Sequence, residues 1–127
     1  LFSAVGNILA GLSAIAMPDF HWHQLFAFMP DESAIFPHIL MYHYTFWAIV
    51  IIMGIGYWMT ATTPNDNRAV LFLGGAGKLA CALTWLFLFV NGHGNWLMLG
   101  GTLYDGILGI LFVMLFVAQK PIKTQIT

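Results

Sequence analysis

Two sets of residues in this sequence could do chemistry, and the first is a pair of opposite charges. Lys78 and Asp105 each lie within a long run of apolar residues. A lone charge at the centre of a bilayer costs at least about 2.5–3.5 kcal/mol. Lys78 lies 15 residues before His93, and Asp105 lies 12 residues after it. In an antiparallel helical hairpin their Cα atoms would differ in depth by about 4–5 Å, so we predict an ion pair.

This predicted pair has two interpretations. It is either a structural element that fixes how two helices face one another, or a site that binds a polar headgroup or carries a proton. We expect Tyr104, Thr84 or Asn7 to supply further hydrogen bonds. A proton path usually needs a chain of titratable groups, and a single pair is visible, so the structural interpretation is favoured.

The second set is a group of histidines gathered toward one end of the molecule. It comprises His21, His23, His38, His43 and His93, with Asp19 beside the first two. Imidazole and carboxylate together suit copper, zinc or iron, and they could also move protons near a quinone headgroup. Against a metal site, residues two apart point in different directions on a helix. The alternative is that these histidines are amphipathic residues at a membrane interface.

The composition indicates where both sets must lie. The chain has 127 residues, of which 60% are hydrophobic and 7% charged, with a mean hydropathy of +0.83. A soluble domain carries about 25% charged residues, so the solvent around this chain is predicted to be the lipid bilayer. The net charge of -1, without a basic cluster, argues against nucleic acid as a partner.

Four apolar segments are predicted to cross the membrane, at about 1–17, 39–61, 69–90 and 96–118. A spanning helix needs about 20 apolar residues, and consecutive apolar residues favour helices over the alternating strands of a barrel. The predicted fold is an all-α integral membrane four-helix bundle, forming one domain over 1–127. Ala14-Ile15-Ala16 resembles a signal-peptidase site, but we expect the first segment to be retained as a helix.

The connection between the first two spans is predicted to contain a short interfacial helix. Pro18 is followed by Asp19, which we expect to cap that helix, and by a run of aromatic residues. Aromatic side chains favour the headgroup zone. We therefore expect the helix to lie across the outer mouth of the bundle.

The distribution of basic residues predicts the orientation of the chain. Four crossings put Arg68, Lys120 and Lys123 on one side of the membrane, and the other side has no lysine or arginine. The positive-inside rule then places both termini in the cytoplasm. We expect a bacterial-type inner membrane.

Small residues at helical spacing predict close packing of the spans. The candidates are Gly6, Ala10, Gly74, Gly77, Gly101 and Gly109. Small residues allow transmembrane helices to approach one another closely, so their predicted role is structural.

The second half of the chain resembles a known family. The segment from Arg68 to Gly77-Lys78, followed by an apolar helix, a short turn and Asp105, is similar to the small four-helix DoxX-like membrane proteins. The resemblance implies the same four-helix fold and an association with a redox complex.

Three functions follow as hypotheses. The first is a non-catalytic accessory subunit of a larger membrane complex of the respiratory or oxidase kind, with other membrane subunits or further copies of itself as partners. The second is a small redox protein that binds a metal (copper, zinc or iron) or a quinone through the outer histidines. The third is a small-solute or ion carrier that uses Lys78 and Asp105, although neither inverted repeats nor a broken helix is evident.

Overall fold

The computed structural model describes residues 1–26, 36–62 and 68–119, and these residues form five α-helices. The helices are α1 (Phe2–Ala16), α2 (Pro18–Leu25), α3 (Phe36–Thr62), α4 (Arg68–Val90) and α5 (Trp96–Ala118). Within the described residues the extended structure is a single bridge between Phe26 and Gly94. The all-α prediction is confirmed, and the helix bounds agree with the predicted spans to within a few residues.

Among the described helices, three are long and apolar enough to cross a membrane, namely Ile39–Thr62, Arg68–Val90 and Trp96–Ala118. Helix α1 has 15 residues, which at 1.5 Å per residue is about 22 Å. That length falls short of a hydrocarbon core of about 30 Å. Three of the four predicted spans are therefore present as helices long and apolar enough to cross a membrane.

The chain bends by 111° between α1 and α2. Pro18 is the first residue of α2, where its missing N–H costs no helical hydrogen bond. Met17 forms the junction and donates its N–H to the Ser13 carbonyl at 2.9 Å. The short helix predicted after Pro18 is present, but the predicted cap is wrong. Met17 is the N-cap, and Asp19 lies in the first turn of α2. There its negative charge interacts favourably with the positive end of the helix dipole.

A tight turn joins α4 to α5. Gly92 has φ 76°, and the His93 N–H bonds to the Leu88 carbonyl at 2.9 Å, which is the pattern of a Schellman helix ending. Asn95 then caps α5, because its side-chain oxygen accepts the Leu97 N–H at 3.0 Å. The same residue donates its own N–H to the Leu25 carbonyl at 3.0 Å, which ties the end of α2 to this turn.

The helices pack in two antiparallel pairs, α1 with α3 and α4 with α5. In the first pair, a Cβ on Gly11 would lie 3.0 Å from the Trp47 carbonyl oxygen, and one on Gly54 would lie 3.1 Å from that of Ala4. In the second pair, a Cβ on Gly109 would lie 3.2 Å from the Gly75 carbonyl oxygen. These glycines allow the backbones to approach directly.

The predicted packing residues differ in what surrounds them. Four of them lie where an added Cβ would press on a neighbouring helix: Gly6, Gly74, Gly101 and Gly109. Ala10 is half-buried on α1. Gly77 differs, because no atom of the described residues lies within 4 Å of the position its Cβ would take. Against the described residues, the packing role predicted for Gly77 is therefore wrong.

We expect Gly109→Ala to destabilise the α4–α5 pair. The added Cβ would lie 2.8 Å from Leu79 Cγ and close to the Gly75 backbone, and such overpacking costs about 1–3 kcal/mol. Gly100→Ala is the matched control on the same helix, since its Cβ meets nothing within 4 Å. Unfolding in mixed micelles, followed by circular dichroism, measures both. Equal stability of the two variants would contradict the packing described here.

Candidate functional site

The structure brings together the two charges that the sequence predicts to pair. Lys78 of α4 lies with its Nζ 2.5 Å from Asp105 Oδ1 of α5. The lysine side chain is 5% exposed and the aspartate side chain 16% exposed. Both residues lie within helices long and apolar enough to cross a membrane, so each charge there needs a partner in place of water.

Asn7 of α1 completes the hydrogen bonding of the lysine. Lys78 Nζ donates to Asn7 Oδ1 at 3.1 Å, and Asn7 Nδ2 donates to the Val50 carbonyl of α3 at 3.5 Å. An ammonium has three N–H donors, and the bonds to Asp105 and Asn7 use two of them. The Tyr104 ring lies 5.1 Å from Nζ and the Tyr57 ring 6.0 Å, so aromatic faces complete the surroundings of the charge.

Of the three further partners predicted for the pair, Asn7 forms the hydrogen bond. Thr84 does not take part, because its hydroxyl donates to the Ala80 carbonyl at 2.9 Å on its own helix. Tyr104 contributes its ring, while its hydroxyl lies against Gly6 and finds no hydrogen-bond partner among the residues the structure describes. Of the three alternatives, the structure therefore selects Asn7 as the further hydrogen-bond partner.

His43 links α1, α2 and α3 at the end of the bundle that carries α2, which we call the outer end. Its Nδ1 accepts the Trp22 indole N–H of α2 at 2.7 Å, so the proton of the ring lies on Nε2. That Nε2–H donates to the Ala14 carbonyl at 3.0 Å, in the last turn of α1. Both ring nitrogens are therefore committed to bonds within the protein.

His21 lies beside this junction and bonds to a different group. Ser13 donates its hydroxyl proton to the Ala10 carbonyl at 2.9 Å, so its oxygen accepts the His21 Nε2–H at 3.1 Å. The His21 ring packs edge-on against Trp47, with centroids 5.2 Å apart. Burial lowers the pKa of His21 below its ordinary value of 6.5, and repulsion from His43 lowers it further.

The other predicted metal ligands lie apart from this junction. Asp19, His23 and His93 are exposed, and the His38 side chain lies outside the described residues. His21 and His23 diverge, as their spacing predicts. Across residues 1–26, 36–62 and 68–119, no group of three or more His, Cys, Asp or Glu residues could hold a metal ion. The described residues therefore do not assemble the metal site considered from the sequence.

A cavity of about 380 Å³ lies at the outer end of the helices, and the sequence did not predict it. Helix α2 contributes Trp22 and Leu25, and α3 contributes His43 and Trp47. Trp85 of α4 and Met98 of α5 close the opposite side. The signal in the sequence is the number of aromatic residues near the outer ends of the spans, which by itself is also typical of a membrane interface.

Comparisons with protein-family models, with curated proteins and with solved structures find no match for this chain. The described fold and site therefore define a class by geometry alone. It is a helical protein with three described helices able to cross a membrane and a buried lysine–aspartate pair. The resemblance to DoxX-like proteins stays a prediction from the sequence.

We expect Lys78→Met to destabilise the fold by about 3–5 kcal/mol, because it leaves the Asp105 charge buried without a partner. Adding Asp105→Leu removes that charge and should recover most of the loss. Unfolding of the single and double variants in mixed micelles gives the coupling between the two positions. A double variant no more stable than Lys78→Met would show that the pair does not act as a unit.

The stability of the fold should depend on His21 below pH 6.5. Its lowered pKa means that the folded chain holds fewer protons on His21 than the unfolded chain, so stability rises with pH in this window and falls on acidification. The midpoint of thermal unfolding, measured between pH 5 and 8, should lose part of this slope in His21→Gln. The control His23→Gln, at an exposed position of the same helix, should keep it. An unchanged slope in His21→Gln would contradict the assignment.

Proposed function

We propose that this chain is a non-catalytic accessory subunit of a larger membrane protein complex, of the respiratory or oxidase kind. The observation that carries the proposal is how little the spanning helices bury one another. Only 11% of the most apolar stretch of α3 is buried inside the chain, and the same share holds for α5. These outward faces must be covered by lipid or by other subunits.

Aromatic residues on the outward faces of the spanning helices support the presence of partner subunits. Trp58 of α3, Phe72 and Phe87 of α4 and Trp96 of α5 are each between 46% and 78% exposed. Aromatic side chains are enriched where protein surfaces meet. A chain of this size with such faces suits assembly beside a larger partner.

The charged cluster supports a structural role over a carrier. Lys78 is held by Asp105 and Asn7 at the same time, so neither charge is left facing an open path. A carrier would need to release one of these contacts in each cycle, at the cost of exposing a charge to the bilayer.

We further propose that α1 is a short fourth span and that both termini lie in the cytoplasm. Helix α1 runs antiparallel beside α3, from Ala4 against Gly54 to Ala14 against His43. At the inner end, Arg68 Nη2 donates to the Phe116 carbonyl at 3.3 Å, which keeps a positive charge at the cytoplasmic ends of α4 and α5.

Photo-crosslinking tests the proposed assembly. Benzoylphenylalanine in place of Phe72, which is 51% exposed, should give a discrete crosslinked protein product in native membranes. Leu71, the neighbouring residue at 5% exposure, is the matched control and should give none. Mass spectrometry of the product, together with purification in mild detergent, identifies the partner.

The same substitution at Trp58 of α3 and Leu111 of α5 extends the test to the other outward faces. A discrete product from any one of these faces supports an accessory subunit. Lipid adducts alone from every face, with a chain that purifies as a monomer, would overturn the proposal.

A further inference from the structure

The cavity at the outer end lies between α3 and α4. Toward the inner end the two helices are in direct contact, where a Cβ on Gly74 would press on the Tyr57 ring. That ring also packs on Phe112 of α5, with centroids 4.8 Å apart. Toward the outer end, α3 instead faces Trp85 and Leu88 of α4 across the cavity.

Helix α2 covers this cavity at the outer end of the helices. The bend of 111° lays α2 across the helix ends, and the Trp22 indole bonds to His43. Trp22, Trp47 and Met98 are 4%, 6% and 1% exposed, so they form the closed part of the cavity. Tyr42 of α3 also lines it and is 69% exposed, so the cavity opens beside α3.

We infer that this cavity binds one acyl chain of a membrane lipid. Its walls are apolar and aromatic, and its volume of about 380 Å³ lies within the range of ligand pockets. Because α3 and α4 are spanning helices, an opening between them faces hydrocarbon, and acyl chains are the apolar groups present there. This inference rests on the membrane location of these helices and holds whether or not a partner subunit exists.

Water is a poor occupant of the same space. A buried water needs two to four polar partners, and apolar cavities stay dry. The polar groups deep in this cavity are the Trp22 indole N–H and the His43 imidazole, and they are bonded to each other. The remaining His43 nitrogen donates to the Ala14 carbonyl.

The charges near the cavity select the kind of lipid. Of the basic residues that the structure describes, Arg68 begins α4 at the opposite end and Lys78 is held in its ion pair. The exposed ionised group on α2 is the carboxylate of Asp19. The bound lipid should therefore carry a headgroup without net negative charge, since no described lysine or arginine is placed to bind an anionic one.

Native mass spectrometry tests the inference on the full chain. The protein is reconstituted in equal amounts of phosphatidylcholine and phosphatidylglycerol, extracted in mild detergent and examined for retained lipid. One phosphatidylcholine per chain is expected. Leu88→Phe narrows the cavity and should lower the lipid-bound fraction about tenfold, which corresponds to about 1.4 kcal/mol of lost apolar contact. Leu86→Phe, the same change at a position 40% exposed to the bilayer, should leave it unaltered.

Three outcomes would overturn the inference. These are equal losses in the Leu88→Phe and Leu86→Phe variants, a preference for phosphatidylglycerol, and the absence of retained lipid together with unquenched cavity tryptophans in the vesicle experiment below. A dimer peak in the last case would point to a second copy as the occupant.

Tryptophan quenching gives a second readout that does not require the lipid to survive extraction. A variant with Trp58→Phe and Trp96→Phe loses the two tryptophans outside the cavity and keeps Trp22, Trp47 and Trp85, which line it. It is placed in vesicles of phosphatidylcholine brominated in the acyl chain. Trp22 and Trp47 are 4% and 6% exposed, so an acyl chain in the cavity should quench their emission. Adding Leu88→Phe should restore part of that emission, and adding Leu86→Phe should not. Equal quenching with and without Leu88→Phe would show that no acyl chain occupies the cavity.

Discussion

The contact between Lys78 and Asp105 is the constraint on which the rest of the structure depends. Two opposite charges that cannot reach water must meet, and they meet only if α4 and α5 present those faces to each other. This sets the rotation of both helices about their axes. Asn7 then brings α1 to the same point, and its bond to the Val50 carbonyl includes α3. One polar cluster thus orients four helices whose other surfaces are almost uniformly apolar.

A second polar junction, centred on His43, holds the outer end. His43 joins α2 through Trp22 and α1 through the Ala14 carbonyl. Each of these groups would be an unsatisfied polar atom in an apolar environment if the junction opened. The bend after Met17 is therefore held from two sides, by the proline that starts α2 and by the histidine beneath it. The cavity between α3 and α4 remains because this junction covers it without filling it.

Much of the fold could be predicted from sequence because long apolar runs leave few alternatives. A run long enough to cross a membrane must be helical in lipid, and the bounds of α3, α4 and α5 agree closely with the predicted spans. The ion pair followed from the cost of an isolated charge, but spacing could not choose among Asn7, Thr84 and Tyr104, since each lay within reach. The packing role of Gly77 could not be judged from sequence because the pattern does not tell which side of a helix meets a neighbour. The Asp19 cap was wrong because the helix already begins at Pro18, with Met17 as its N-cap. The cavity depends on how α2, α3 and α4 pack together, which contacts distant in sequence determine.

The bond between Asn95 and Leu25 links the helix that covers the cavity to the turn between α4 and α5. Asn95 donates its backbone N–H to the Leu25 carbonyl at the end of α2, while its side chain caps α5. Lifting α2 would therefore strain the first turn of α5 as well as break the Trp22–His43 bond. An acyl chain bound as inferred above would enter and leave between α3 and α4 without these losses, so the rate of its exchange would follow the fluidity of the bilayer.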